Sequence, residues 1–187
     1  MKFLFTGFLP FSSYQENPTQ QLAKRLGEAF ASPSFILPVS YSKAPEAWKK
    51  IVEEEQPDFI LSLGLHGKAT NLHLEKKAYN MMKANIPDND GKSMQGQPIN
   101  ETLPAFLENP LPLDKIQESL KEYPFELSLD PGRYICNLIY FLDLSSPIPS
   151  LFVHVPPFER IDQETQFKAL TALVHELEKQ DKNVIRF

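Results

Sequence analysis

Short apolar runs alternate with amphipathic stretches along this chain, and the alternation gives the first outline of its fold. Lys2 to Thr6 is a short run with an apolar centre, Phe3-Leu4-Phe5, ended by Gly7, the pattern of a buried strand. Asn17-Pro18 then reads as a helix start, an asparagine cap followed by proline in the first helical position. Leu22, Leu26 and Phe30 continue it as a helical stripe. Phe35 to Tyr41 is expected as a second strand. Ala44, Ala47, Trp48, Ile51 and Val52 mark one face of a second helix, which Pro57-Asp58 breaks. Phe59 to Gly64 is apolar on both faces and reads as a central strand. Leu72 to Glu75 alternates, as a half-buried strand does.

The second half repeats the theme. Asn85 to Asn100 is rich in turn residues and is expected as a loop. Leu113, Ile116, Leu120 and Tyr123 space a helix, and Phe125 to Leu129 a strand. Ile135 to Leu144 is strongly apolar and reads as a helix, because a Pro-Gly turn precedes it. Leu151 to Val155 predicts a strand, and Phe167, Leu170, Leu173, Val174 and Leu177 a long final helix. Strands alternating with helices over 187 residues predict one α/β domain, residues 1–187, with a mostly parallel twisted sheet between helical layers. Functional loops in such a sheet gather beyond the carboxyl ends of its strands.

Composition narrows the function. The formal net charge of -5 argues against a broad basic surface for nucleic acid. No apolar run reaches the roughly 18 to 20 residues that cross a bilayer. The apolar stretch at the N-terminus meets Gly7 and Pro10 too early for a signal peptide core, so the cytoplasm is the expected compartment. A single cysteine excludes an intrachain disulfide scaffold. Seventeen prolines are dispersed rather than repeated, which suits ordered loops and element ends.

Three residues stand where chemistry could be carried. Cys136 follows a strand and the Pro131-Gly132 turn, near the start of an apolar helix. There the helix dipole and free N–H groups favour the thiolate, the reactive form. The plainer reading is a small core residue, since free cysteine is among the most buried types. His154 lies near a strand end followed by Pro156-Pro157, well placed for a base; the plainer reading is a hydrogen-bonded structural histidine. Glu75 ends a short strand and could orient an imidazole, or could face solvent beside Lys76 and Lys77. His66, His73 and His175 show no metal-ligand spacing, and no phosphate-binding glycine loop is present.

Taken together, the motifs resemble a known family. Thr6-Gly7-Phe8-Leu9-Pro10-Phe11 with Asn17-Pro18 is similar to the N-terminal signature of the pyroglutamyl peptidase I family, cysteine peptidases that remove an N-terminal pyroglutamyl residue. The stretch from Gly64 through Glu75 to Asn80 resembles its glutamate motif, and Ile86-Pro87-Asp88-Asn89-Asp90-Gly91 the loop that follows. Gly132 to Asn137 resembles its cysteine motif, and Phe152 to Pro156 its histidine motif. The resemblance implies an α/β/α sandwich and a triad of Cys136, His154 and Glu75. It implies no cofactor, a small peptide substrate with a blocked N-terminus, and a homo-oligomer, dimer or tetramer. Substrate-binding positions would be Phe8 and Phe11, flanking a flat lactam ring, with Asn17, Leu65 and Asn85. Leu65 stands where the family usually has Gln, Ala69 beside Lys68 where it has Arg, and Asn85 where it has a second Arg. Pro131 replaces a small residue and Ser12-Ser13 a glycine pair. Two other functions fit the same residues: a cysteine amidase with a different N-terminal acyl preference, and a non-catalytic homologue that binds a small amide.

Overall fold

A computed structural model describes residues 1–12 and 14–181. Its elements, in chain order, are β1 (Phe3–Phe8), α1 (Pro18–Ala29), β2 (Ser34–Leu37), α2 (Lys43–Glu55), β3 (Phe59–Leu65), β4 (Leu72–Glu75), β5 (Lys77–Tyr79), β6 (Met82–Lys83), β7 (Gln95–Gln97), β8 (Phe106–Glu108), α3 (Leu113–Ser119), β9 (Phe125–Ser128), α4 (Ile135–Ser145), β10 (Ser150–Val155) and α5 (Gln163–Asp181). The main sheet has six strands in the order β2-β1-β3-β10-β4-β9. The first four are mutually parallel. β4 runs antiparallel to β10 and parallel to β9. The sheet is therefore mostly parallel with its last two strands reversed, a feature the apolar pattern does not encode.

Two apolar layers cover the sheet and make the sandwich. On one face Leu22, Leu26, Leu170, Leu173 and Val174 of α1 and α5 pack on Phe3, Phe5, Leu61, Leu63 and Val153, with α3 alongside. On the other, α4 packs Leu138, Ile139 and Phe141 against Phe8 and Phe152, next to Ala44 of α2. α1 starts as expected: Asn17 is the cap, its side chain accepting from Thr19 N at 3.1 Å, with Pro18 first in the helix.

Three expected elements differ. The second strand ends at Leu37, not Tyr41, because Pro38 has no N–H to give the sheet. The chain beyond it braces another loop instead: Tyr41 N donates to Asp88 at 2.8 Å, and Asn89 N to Val39 O at 2.9 Å. The third helix stops at Ser119, short of Tyr123, which precedes Pro124 and so disfavours helical backbone. The stretch from Asn85 to Asn100 is not wholly loop, since β7 pairs with β6 across an irregular register. Asn80 holds this region with four bonds: its amide donates to Asn100 O and Leu103 O, and its oxygen accepts from Ile99 N and Asn100 N.

Candidate active site

Cys136 is the second residue of α4, half-buried at the helix N-terminus. The cap residue Tyr134 makes no side-chain bond to the first turn, so the early N–H groups stay available to a ligand. Gly132 precedes it with φ +79, a left-handed conformation that lets the chain turn sharply into the helix. Asn137 fixes the other side of this turn. Its oxygen accepts from Tyr79 N at 2.8 Å, and its amide donates to Tyr79 O and Met81 O at 2.8 and 3.0 Å.

The thiol lies directly over β3. A Cβ added at Gly64 would come within 2.9 Å of Cys136 Sγ and 2.7 Å of the Phe152 ring. Glycine at this point of a central strand is therefore what lets the helix end approach the sheet. In the next strand, His154 pairs with Gly64. That register carries the imidazole to the same spot, and His154 and Cys136 line one cleft.

The reversed direction of β4 explains the third group. His154 is opposite His73, and Val153 opposite Leu74, so the chain beyond runs inward from the strand-end edge. Glu75 thus lies beneath His154 and is fully buried. Its Oε1 is 2.7 Å from His154 Nδ1. The solvent-facing reading of Glu75 is corrected by this reversal. Tyr140 of α4 donates to the Glu75 carbonyl at 2.6 Å, and Asn109 donates to the Tyr140 hydroxyl at 2.9 Å. Burial alone would lower the His154 pKa. Hydrogen bonds and charge from Cys136 and Glu75 outweigh it and hold the imidazole well above its usual range, in the protonated form.

Two openings meet at the thiol. A narrow recess is lined by Phe8, Phe11, Asn17, Val39, Leu65, Tyr134, Ile135 and Cys136. A wider cleft of about 360 Å³ holds Cys136 and His154 together with Tyr14, His66, Lys68 and Ile86. Four of the five expected binding positions, Phe8, Phe11, Asn17 and Leu65, therefore share the recess wall. The Asn17 side chain is engaged with Thr19 and with Leu9 O, so it shapes this wall as a helix cap. Asn85 is exposed and outside both openings, while its neighbour Ile86 lines the cleft. Ala69 is buried, Pro131 and Ser12 line the cleft, and Ser13 lies outside the described residues. Among the described residues no group of three or more His, Cys, Asp or Glu side chains is arranged to hold a metal ion. None of the described helices is long and apolar enough to cross a membrane.

Tyr140 and Asp143 carry no signal in the sequence, His66 enters there only as a rejected metal ligand, and Asn137 only as the end of the cysteine motif. His66 sits just past the end of a central strand, the position that drew attention to His154. The other three lie within an apolar helix, and their partners are distant in sequence.

A half-buried thiol at a helix N-terminus, an imidazole in the same cleft and a buried carboxylate behind the ring are the groups with which an α/β cysteine hydrolase works. A family model described as pyroglutamyl peptidase matches residues 1–174. A pyrrolidone-carboxylate peptidase of Pyrococcus furiosus is 34% identical over 193 residues, covering 95% of this chain and 92% of that protein. One of Bacillus amyloliquefaciens is 30% identical over 201 residues, covering 94% of each. The crystal structure of pyrrolidone carboxyl peptidase from the hyperthermophile Pyrococcus furiosus matches with a TM-score of 0.86 at 32% identity, over 96% of this chain and 99% of that one. The chain belongs to the pyroglutamyl peptidase family.

Proposed function

We propose that this protein removes an N-terminal pyroglutamyl residue from peptides, with Cys136 as nucleophile, His154 as general base and acid, and Glu75 as the group that orients the ring. The observation that carries the reading is His154 sharing one cleft with the Cys136 thiol and held from behind, at 2.7 Å, by a fully buried Glu75. Glu75 fixes the tautomer and stabilises the imidazolium. His154 draws the proton from the Cys136 thiol, and the thiolate sulfur attacks the exocyclic carbonyl carbon of the pyroglutamyl group. First-turn N–H groups of α4 stabilise the oxyanion. As the C–N bond breaks, His154 gives its proton to the departing amine. Water then adds to the thioester, losing a proton to His154, and 5-oxoproline leaves as the thiol is restored.

The recess supports this substrate. A lactam ring is flat and uncharged, and Phe8, Phe11, Val39, Leu65 and Ile135 offer apolar walls. Phe11 and Tyr134, with rings 5.8 Å apart, line both recess and cleft and stand between them. As it stands the recess measures about 10 Å³, so these two rings move apart when the lactam enters. Leu65 removes one side-chain hydrogen bond from the ring, about 0.5–1.5 kcal/mol of recognition. Backbone groups supply the remainder. Hydrolysis of a pyroglutamyl-coumarin amide, lost in Cys136→Ala, is the expected result. No turnover by a protein whose Cys136 is still rapidly alkylated would overturn the pyroglutamyl assignment and leave the nucleophile standing.

A further inference from the structure

Beyond the lactam recess, the wider cleft next to His154 receives the part of the substrate that leaves. Its floor is the turn that follows β3, closed by a bond from Ala69 N to His66 O at 3.0 Å. The His66 ring stands edge-on to His154, with centroids 5.8 Å apart. Lys68 N donates to His66 Nδ1 at 3.3 Å, so in the neutral ring Nε2 carries the hydrogen. Nε2 has no hydrogen-bond partner among the described residues, and the Lys68 ammonium makes no ion pair among them. Among the described residues no acidic side chain lines this cleft. The neighbouring groove, which shares Tyr14 and Leu65 with it, carries Glu16 and Glu159. Positive side chains therefore belong to the cleft that holds Cys136 and His154, and acidic ones to the neighbouring groove.

Resting on the pyroglutamyl peptidase reading, we propose that His66 and Lys68 form a leaving-residue subsite for a free carboxylate, so that the preferred substrates are pyroglutamyl dipeptides with an unblocked C-terminus. A dipeptide's carboxylate lies within about 3.8 Å of the nitrogen that His154 protonates. That places it against His66, whose Nε2–H donates to it, while Lys68 supplies the countercharge. A longer peptide has an amide there and carries its carboxylate outward, toward Glu16 and Glu159. His66 also stays neutral beside the charged His154: burial first, then repulsion from His154 and His73, lowers its pKa.

The test compares kcat/KM for pyroglutamyl-alanine, pyroglutamyl-alanine amide and pyroglutamyl-alanyl-alanine. The free dipeptide is expected to be best, by a margin that shrinks as salt rises. Lys68→Ala should narrow the acid-to-amide ratio about two- to fivefold, the range of an exposed ion pair, and Lys68→Glu should invert it. His66→Ala should lower the ratio, and His66→Gln, which keeps an N–H donor, should retain more of it. Equal kcat/KM for acid and amide in the unaltered protein, or a ratio unmoved by both Lys68 variants, overturns the subsite while leaving pyroglutamyl hydrolysis intact. Failure to cleave any of the three removes the underlying assignment and the subsite with it.

Discussion

Replacing Asp143 with asparagine should change how the stability of this protein depends on pH. Asp143 is on α4, two turns beyond Cys136, and is fully buried. Trp48 Nε1 donates to its Oδ1 at 2.7 Å and Ser62 Oγ to its Oδ2 at 2.8 Å, while Thr6 donates to the Ser62 hydroxyl at 2.9 Å. Burial pushes the Asp143 pKa up to about 7, against the two hydrogen bonds that pull it down. The negative end of the helix dipole acts in the same direction as burial. An unfolded aspartate titrates near 3.9. Because the folded value is the higher one, the folded state keeps a proton that the unfolded state loses. The group's contribution to stability is complete below about pH 4 and disappears as pH rises to about 7. Three pKa units at 1.36 kcal/mol each set an upper limit of roughly 4 kcal/mol. Asparagine preserves the geometry, since its amide can donate to Ser62 and the Ser62 hydroxyl can turn to Thr6. It does not titrate. Urea denaturation of both proteins at pH 5, 6, 7 and 8 should show Asp143→Asn gaining on the unaltered chain by roughly 2 to 3 kcal/mol across that range. Parallel stability curves would refute the reasoning, because they would mean that Asp143 is already ionised in the folded core.

Three more outcomes follow from the site. Glu75→Gln should lower kcat about a hundredfold or more with little change in fold. It should also slow alkylation of Cys136 by iodoacetamide between pH 6 and 7, because a ring without Glu75 holds its proton less tightly; an unchanged alkylation profile would contradict the pairing. Gly64→Ala forces a methyl group against Cys136 Sγ and Phe152, so it should cost about 1–3 kcal/mol in a denaturant titration and most of the activity. Full activity there would show that the thiol does not need its close approach to β3. Asn137→Ala strips three hydrogen bonds and leaves the Tyr79 N–H and two carbonyls short of partners, and should destabilise by about 2–4 kcal/mol on the same measurement.

Periodicity along the chain marks the principal helices and strands because each buries one regular face, as α1 does with Leu22 and Leu26. The small pairs β5–β8 and β6–β7 escape it, since two- and three-residue strands carry no period. The direction of β4 is equally hidden: an alternating tetrapeptide reads the same in either sense, yet its reversal is what sends Glu75 inward. Cys136, His154 and Glu75 stand out through the motifs around them, and the structure brings their side chains together. Asp143 does not stand out, and Asn137 does so only as the end of the cysteine motif, with no sign of what it holds. A single polar residue in an apolar helix declares its role only through partners such as Ser62 and Tyr79, far away in the chain.

The thiol over β3 is also the protein's sole sulfhydryl. A peroxide that converted Cys136 to a sulfenic acid would find no second cysteine in the chain to resolve it as a disulfide. Further oxidation to the sulfinic state would then compete only with capture by a small external thiol. Recovery of activity after mild oxidation should therefore follow the glutathione or dithiothreitol concentration supplied, and the protein cannot repair itself by internal exchange.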